Sequence, residues 1–286
     1  MLTILFDGVA YGMLLFVLAC GLSVTLGLMN FVNLAHGVFA MAGGYATALL
    51  MNRAGVPFLA TLPVAFAAPA LLGAALERLL YRRLYGASPL DQVLLTIGLV
   101  LMAMPAVNYC LGDQPMQIHL PPYLQGRIEF HGVTVGVYRL FLIAVCGLIA
   151  AALQVFLIGT RFGAQLRAAV DDQRVAAGLG VDVDRLFAIA FAVGSGLAGL
   201  GGALAADVVG GVDPSFPVKF MVSFLIVVTI GGSRGIMGAL LGSLLLGVLD
   251  VAGNYYLPSL GAFIIYGVMV ATLLLRPRGL FARGGA

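Results

Sequence analysis

The sequence predicts an all-α polytopic membrane protein, a bundle of about eight or nine transmembrane helices, some short or discontinuous, with a cytoplasmic C-terminus. Three observations lead there. Hydrophobic residues make up 62% of the 286 and charged residues only 9%, a balance outside the soluble globular range. Nine apolar runs, most near the roughly 17–25 residues that cross a hydrocarbon core, follow one another along the chain. The arginines gather on alternate connections between those runs, as retention of positive charge in the cytoplasm requires.

In chain order the runs are Ile4–Leu28, Phe31–Met51, Phe58–Leu80, Val93–Leu111, Val137–Ile158, Phe187–Ala206, Phe220–Ile230, Ile236–Val251 and Leu260–Leu275. The seventh is short and the eighth barely long enough. Gly, Asn and charge interrupt the apolar pattern at Gly27–Gly37 and Ile230–Gly238, so discontinuous helices are expected there. MLTILF at the start lacks the positive n-region of a signal peptide, and the first run is expected to stay in the mature protein. The whole chain, 1–286, reads as one transmembrane domain.

Nine crossings put Arg78, Arg82, Arg83, Arg161, Arg167, Arg174, Arg185, Arg234, Arg276, Arg278 and Arg283 on one side, eleven of the fifteen basic residues. Arg53, Arg127, Arg139 and Lys219 fall on the other. The first side is assigned to the cytoplasm. It holds the long charged segment within 160–186, and the connection 112–136, with its prolines and with His119 and His131, is external. The segment from Thr160 to Asp184 is helix-compatible and carries Arg161, Arg167, Asp171, Asp172, Arg174 and Asp182 between two spans. Such a segment suits a grip for a partner on the water side, with Gly178 and Gly180 supplying a sharp turn before the next span.

Several function classes are excluded. The net charge of +3 is too small and scattered for a nucleic-acid footprint. Cys20, Cys110 and Cys146 lack paired spacing, and His119 and His131 lack companion ligands, so neither a disulfide framework nor a metal site is indicated. Gly194, Gly196 and Gly199 satisfy G-x-G-x-x-G but lie inside a span, without the strand that a dinucleotide site needs. Lys219 is the only lysine and no G-K-[ST] occurs, so the chain has no P-loop. No cofactor and no catalytic constellation is called for.

Intramembrane polar groups are costly and raise a functional hypothesis. Asn30, Asn33 and His36 form the densest cluster, and on a helix Asn33 and His36 would share a face. They suit either a substrate path at a helix break or a clasp that bonds neighbouring helices together. Small residues four apart, Gly194, Ala198, Gly202 and Ala206, form a packing stripe on the span after the charged segment, or a surface on which that span glides. Gly8 with Gly12 and Gly238 with Gly242 repeat the spacing. Ser88, Pro89 and Asp91 read as a capped helix start, Glu77 and Arg78 as a cytoplasmic helix end, and Asp250 with Asn254 as a helix end near the outer surface. Asp207 and Asp213 are expected at the outer interface.

Three segments together carry a family resemblance: GLSVTLGLMNFVNLAHGVFAMAGGY (21–45), LRAAVDDQRVAAGLGVDVDRLFAIAFAVGSGLAGLGGAL (166–204) and LRPRGLF (275–281). The chain resembles, over nearly its whole length, the permeases of branched-chain amino acid ABC importers of the LivH type. The resemblance implies a bacterial inner-membrane, multi-pass subunit that works beside a second related permease, two cytoplasmic ATPase subunits and a periplasmic substrate-binding protein. By the same resemblance Arg167, Asp171, Asp172, Arg174, Ala176, Gly178 and Gly180 lie in the loop that docks on the ATPase. Leu, Ile and Val are the default cargo of such systems, although related permeases carry urea, amides or small aromatic acids. A stand-alone secondary transporter or channel is the alternative, and it predicts intramembrane acids for ion coupling, which are scarce here.

Overall fold

The computed structural model describes residues 1–29, 31–130, 133–232, 236–276 and 279–280. Of the positions singled out above, Asn30, His131, Arg234, Arg278 and Arg283 lie outside them. The described residues form a helical bundle. The helices are α1 (Leu2–Met29), α2 (His36–Ala54), α3 (Phe58–Leu79), α4 (Pro89–Leu111), α5 (Val137–Gly159), α6 (Arg161–Asp171), α7 (Gln173–Gly178), α8 (Val183–Val208), α9 (Phe216–Gly231), α10 (Ile236–Tyr256) and α11 (Gly261–Leu275). One feature departs from an all-α fold. Within 112–136, strands β1 (Arg127–Phe130) and β2 (Val133–Gly136) pair antiparallel, with Arg127 opposite Gly136.

Six helices are long and apolar enough to cross a membrane, among the described residues: α1, α3, α4, α5, α8 and α10. The expectation of eight or nine clear crossings is corrected to that extent. The second run does not begin its helix at Phe31; α2 starts only at His36. The seventh and ninth runs give α9 and α11, of 16 and 15 residues. At 1.5 Å per residue these reach about 24 and 22 Å, short of a hydrocarbon core ~30 Å thick.

Helices α1 and α8 form the buried centre, while α3, α4 and α5 present apolar side chains outward, where lipid replaces core packing. Small residues allow the central contacts. A Cβ on Gly8 would lie 2.6 Å from the Val248 Cα of α10, and one on Gly12 would lie 2.7 Å from the Ser243 carbonyl oxygen, so α1 and α10 meet backbone to backbone. Gly231 of α9 faces Gly238 of α10 in the same way.

The polar residues sort to two ends. At one end Arg82, in a 3-10 turn (Tyr81–Leu84) after α3, pairs with Asp184 at the start of α8. There too Ser88 caps α4 through a capping box with Asp91, as its sequence predicts: Ser88 Oγ accepts from the Asp91 amide at 3.3 Å. At the opposite end Arg139 pairs with Asp7, Asn52 donates to the Gln117 carbonyl at 3.0 Å, and Met116 bridges Val212. Asp207 lies in the last turn of α8. Asp250 is not a helix end, since α10 continues to Tyr256; Asn254, one turn on, is the residue near its terminus. Cys110 is exposed on α4 rather than packed in a core, whereas Cys20 and Cys146 are buried thiols.

Asp213 anchors the link from α8 to α9. Its carboxylate accepts from the Ser215 amide at 2.8 Å and pairs with Lys219. Burial alone would raise its pKa, but the bonds from Lys219 and Ser215 outweigh burial and hold the carboxyl below its ordinary range. A depressed folded-state pKa contributes stability in full above the ordinary value of ~3.9 and loses it as pH falls through the folded-state value. Thermal unfolding in detergent should therefore show Asp213→Asn less stable than the parent by about 1 kcal/mol or less near pH 7. The deficit should shrink from about pH 4 downward and close once pH falls below the folded-state value. A deficit that persists in acid would assign the effect to lost packing.

Candidate functional site

Phe31–Ala35 link α1 to α2 without helical structure, and the link is largely buried. Irregular backbone at membrane depth is tolerated only where protein or a polar cavity satisfies it. Here the satisfaction is explicit. The Phe31 amide bonds back to the Thr25 carbonyl at 3.2 Å, and the Val32 amide donates to Gln92 Oε1 of α4 at 3.0 Å. Gln92 Nε2 in turn donates to the Leu84 carbonyl at 3.1 Å. Only one orientation of this amide meets a donor at one end and a carbonyl at the other.

His36 opens α2 beside the middle of α1, where its Nε2 meets the Leu18 carbonyl at 2.9 Å. The ring also stands edge-on to Phe224 of α9, with centroids 5.7 Å apart. Asn33 is 1% exposed, and both its amide atoms lack a partner among the described residues. Unpartnered buried amides are uncommon and costly. The two residues do not share a helical face as the sequence spacing suggested, because Asn33 belongs to the non-helical link. Asn30 lies outside the described residues. The start of α9 reaches the same place: a Cβ on Gly37 would sit 2.7 Å from the Pro217 Cα. Two helix N-termini thus meet in the interior, next to Asn33 and His36.

The charged segment is not one helix. Asp172 adopts an extended conformation and divides α6 from α7, its Oδ1 accepting from the Arg174 and Val175 amides at 2.8 and 3.0 Å. The expectation of a helix through the Thr160–Asp184 segment is corrected accordingly: an aspartate able to bond the amides that follow it competes with helix continuation and becomes an N-cap. Asp182 caps α8 likewise, accepting from the Arg185 amide at 3.0 Å. Gly163, Leu166 and Ala169 bury one face of α6, and the Arg167 guanidinium donates to the Leu157 carbonyl at the end of α5. Asp171, Arg174 and Gly178 are exposed, and Ala176 is buried. Gly180 has φ +85°, the left-handed turn that joins α7 to α8, whereas Gly178 is an ordinary last helical residue. Val175 of α7 and Leu179 at its C-cap are 58% and 79% exposed.

The stripe Gly194, Ala198, Gly202 and Ala206 is buried throughout. A Cβ on Gly194 would lie 3.2 Å from the Gly21 Cα of α1, and one on Gly202 would overlap the Ala40 backbone of α2. Other small residues of α8 do the same work on other sides, with Gly196 against Phe66 and Gly199 against Gly43 and Pro69. The described residues include no cluster of three or more His, Cys, Asp or Glu that would hold a metal ion.

Sequence reasoning passed over the residues around the link. Gln92 looks like any polar residue in a first helical turn. Glu77 lies in the last turn of α3, the helix end its sequence predicts, but its side chain is buried and accepts from Tyr85 Oη at 2.8 Å. Tyr81 and Tyr85 pack on Phe31 with centroids 5.1 and 5.8 Å apart. The one signal available was the pair of tyrosines among arginines in LYRRLYG, an aromatic grouping with no reason to sit in a purely solvated turn.

Comparison with known proteins adds a family model and relatives. The model described as branched-chain amino acid transport system, permease component, matches residues 4–273. The chain is 27% identical to the high-affinity branched-chain amino acid transport system permease protein BraD of Pseudomonas aeruginosa, over 98% of this chain and 95% of the relative. It is 25% identical to the protein LivH of Escherichia coli, over 98% and 94%, and 28% identical to a probable branched-chain amino acid transport permease protein LivH of Methanocaldococcus jannaschii, over 97% and 91%. No solved structure matches the chain significantly.

Proposed function

We propose a function from one premise: this chain belongs to the branched-chain amino acid transport system permease family and is a non-catalytic, multi-pass inner-membrane subunit of an ABC transporter. Its solute is a branched-chain amino acid, the reading that the names of its relatives support. It works beside a second related permease, with two cytoplasmic ATPase subunits and a periplasmic binding protein. The end of the bundle that carries α6 and α7 faces the cytoplasm, and both termini follow from that: the C-terminus inside, the N-terminus outside. The shorter helices α2, α9 and α11 bring the number of membrane-inserted helices to nine.

The observation that carries the substrate path is the buried, unpartnered amide of Asn33 beside the meeting point of the α2 and α9 N-termini. Helix N-termini present partial positive charge and suit a carboxylate, and the apolar walls from Phe224 and α1 suit an aliphatic side chain. Asn30, Asn33 and His36 are accordingly assigned to the path. The mechanism is alternating access. ATP-driven closure of the partners moves α6 and α7, and the small-residue face of α8 lets that helix shift against α1 and α2. The nucleotide partners must bind the two states unequally for this to drive transport.

The test is reconstitution with the second permease, the ATPase subunits and the binding protein of the same transporter, with uptake of labelled leucine measured in proteoliposomes. ATP should drive uptake, and Asn33→Ala and His36→Ala should each lower it by on the order of tenfold in complexes that still assemble. Leucine uptake driven by an ion gradient, without any ATPase, would refute the reading.

A further inference from the structure

Two groups of residues described separately above are joined by one turn. Helix α8 follows α7 after the turn at residues 179–182, and its first turns hold the 3-10 turn Tyr81–Leu84 and Tyr85 beside it by three contacts. Asp184 pairs with Arg82, Phe187 stands edge-on to Tyr85 with centroids 5.7 Å apart, and Phe191 packs on Tyr81 at 4.9 Å. From the other side the turn holds the link before α2. Phe31 packs on both tyrosines, and Gln92 spans from the Leu84 carbonyl to the Val32 amide. Asn33 is the next residue in the chain.

We infer that Gln92 is a positioning residue for transport, tying the link that holds Asn33 to the turn gripped by α8, so that movement of α7 and α8 reshapes the interior site. The inference rests on the transporter reading above. Its chemistry is specific. The clamp needs an acceptor and a donor on one buried planar group, and Gln92 is only 3% exposed. Leucine has the volume and neither bond. Ionised glutamate, read at alkaline pH, keeps the acceptor for Val32, loses the donor to Leu84 and sets a carboxylate against a carbonyl oxygen, whereas the protonated acid at low pH restores both bonds. A rigid connection of this kind transmits displacement because packed aromatic and hydrogen-bonded contacts do not stretch; they hold or they switch.

The experiment uses the whole reconstituted complex and reads the ratio of ATP hydrolysis with leucine-loaded binding protein to hydrolysis without it. Gln92→Leu, and Gln92→Glu at alkaline pH, should lower that ratio by on the order of tenfold, within the range of ordinary allosteric couplings. Basal hydrolysis and co-purification of the ATPases should hold. Arg82→Ala cuts the other end of the same connection, so it should add little in a Gln92→Leu background, whereas independent sites add. A thiol placed by Asn33→Cys should change its labelling rate on nucleotide binding when Gln92 is present and lose that response in Gln92→Leu. A parental ratio in Gln92→Leu, or in Gln92→Glu at alkaline pH, or additive effects of the two ends, overturns the inference. If Gln92→Leu does not assemble, the isosteric Gln92→Glu decides it alone when read at alkaline pH, where the carboxyl is ionised. A parental complex whose hydrolysis ignores the loaded binding protein refutes the transporter reading itself, and the clamp with it.

Discussion

Gly202→Leu should prevent recovery of a folded chain from membranes, the largest stability effect expected of any single substitution here. The reason lies in the crossing of α2 and α8. A Cβ on Gly202 would overlap the Ala40 backbone, and one on Gly43 would overlap the Gly199 backbone, so the two helices share a contact that admits no side chain from either partner. Overpacking usually costs ~1–3 kcal/mol, because neighbouring side chains find other rotamers. Backbone has no such freedom, and α8 is also hemmed in by α1 at Gly201 and by α3 at Gly196 and Gly199. Separation of α2 from α8 would therefore disturb three interfaces at once, against a total stability of only ~5–15 kcal/mol. Gly267→Leu on α11 is the comparison, since a Cβ there meets nothing within 4 Å. Size-exclusion profiles after graded heating in detergent measure both. A Gly202→Leu chain that elutes and melts like the parent would mean that α2 and α8 are not in contact as described.

The same crossing shows what the sequence made legible. Uniform apolar runs delivered α3 and α5 to within a residue or so of their ends, because a hydropathy window sees a property that each residue carries by itself. The four-residue spacing of small residues identified the face of α8 at Gly194 and Gly202. It did not identify which helices they meet, and the equally tight contacts of Gly196, Gly199 and Gly201 fall off the stripe. The Ser88 cap was readable because all its partners lie within three residues. The start of α2 was not: the non-helical link before His36 is held by long-range contacts such as the Val32 amide donating to Gln92, sixty residues on, which no local pattern reveals. The break at Asp172 was not legible either: within a helix-compatible charged run, nothing marks which aspartate will bond the two amides after it and divide one expected helix into two. The hairpin of β1 and β2 was hidden by its length: four residues a side alternate too briefly to stand out within a proline-rich connection.

Leu179→Asp should abolish co-purification of the ATPase subunits while leaving the permease folded, and Val175→Asp should weaken it strongly. Val175 on α7 and Leu179 at its C-cap are four apart, and both are exposed. Ala176, between them in sequence, faces the bundle and is buried, so α7 is held by one side and offers the other. On α4 or α11 an exposed leucine meets lipid. On α7 it has no such cover, since the segment carries Asp171, Asp172 and Arg174 and belongs to the polar end of the bundle. Two exposed apolar side chains ringed by charge have the form of an interface core with a polar rim, where a few central residues carry most of the binding energy. Loss of such a residue typically costs ~2 kcal/mol or more, and a buried unpaired carboxylate adds to that. The combined loss corresponds to at least roughly thirtyfold in affinity. Gln165→Asp adds the same charge to the exposed side of α6 and should leave co-purification intact. Pull-down from membranes that co-express all subunits separates the cases. Equal ATPase recovery with Leu179→Asp would detach α7 from the nucleotide-driven partner, and the gap between α7 and the Asn33 link would then transmit nothing, whatever the state of Gln92.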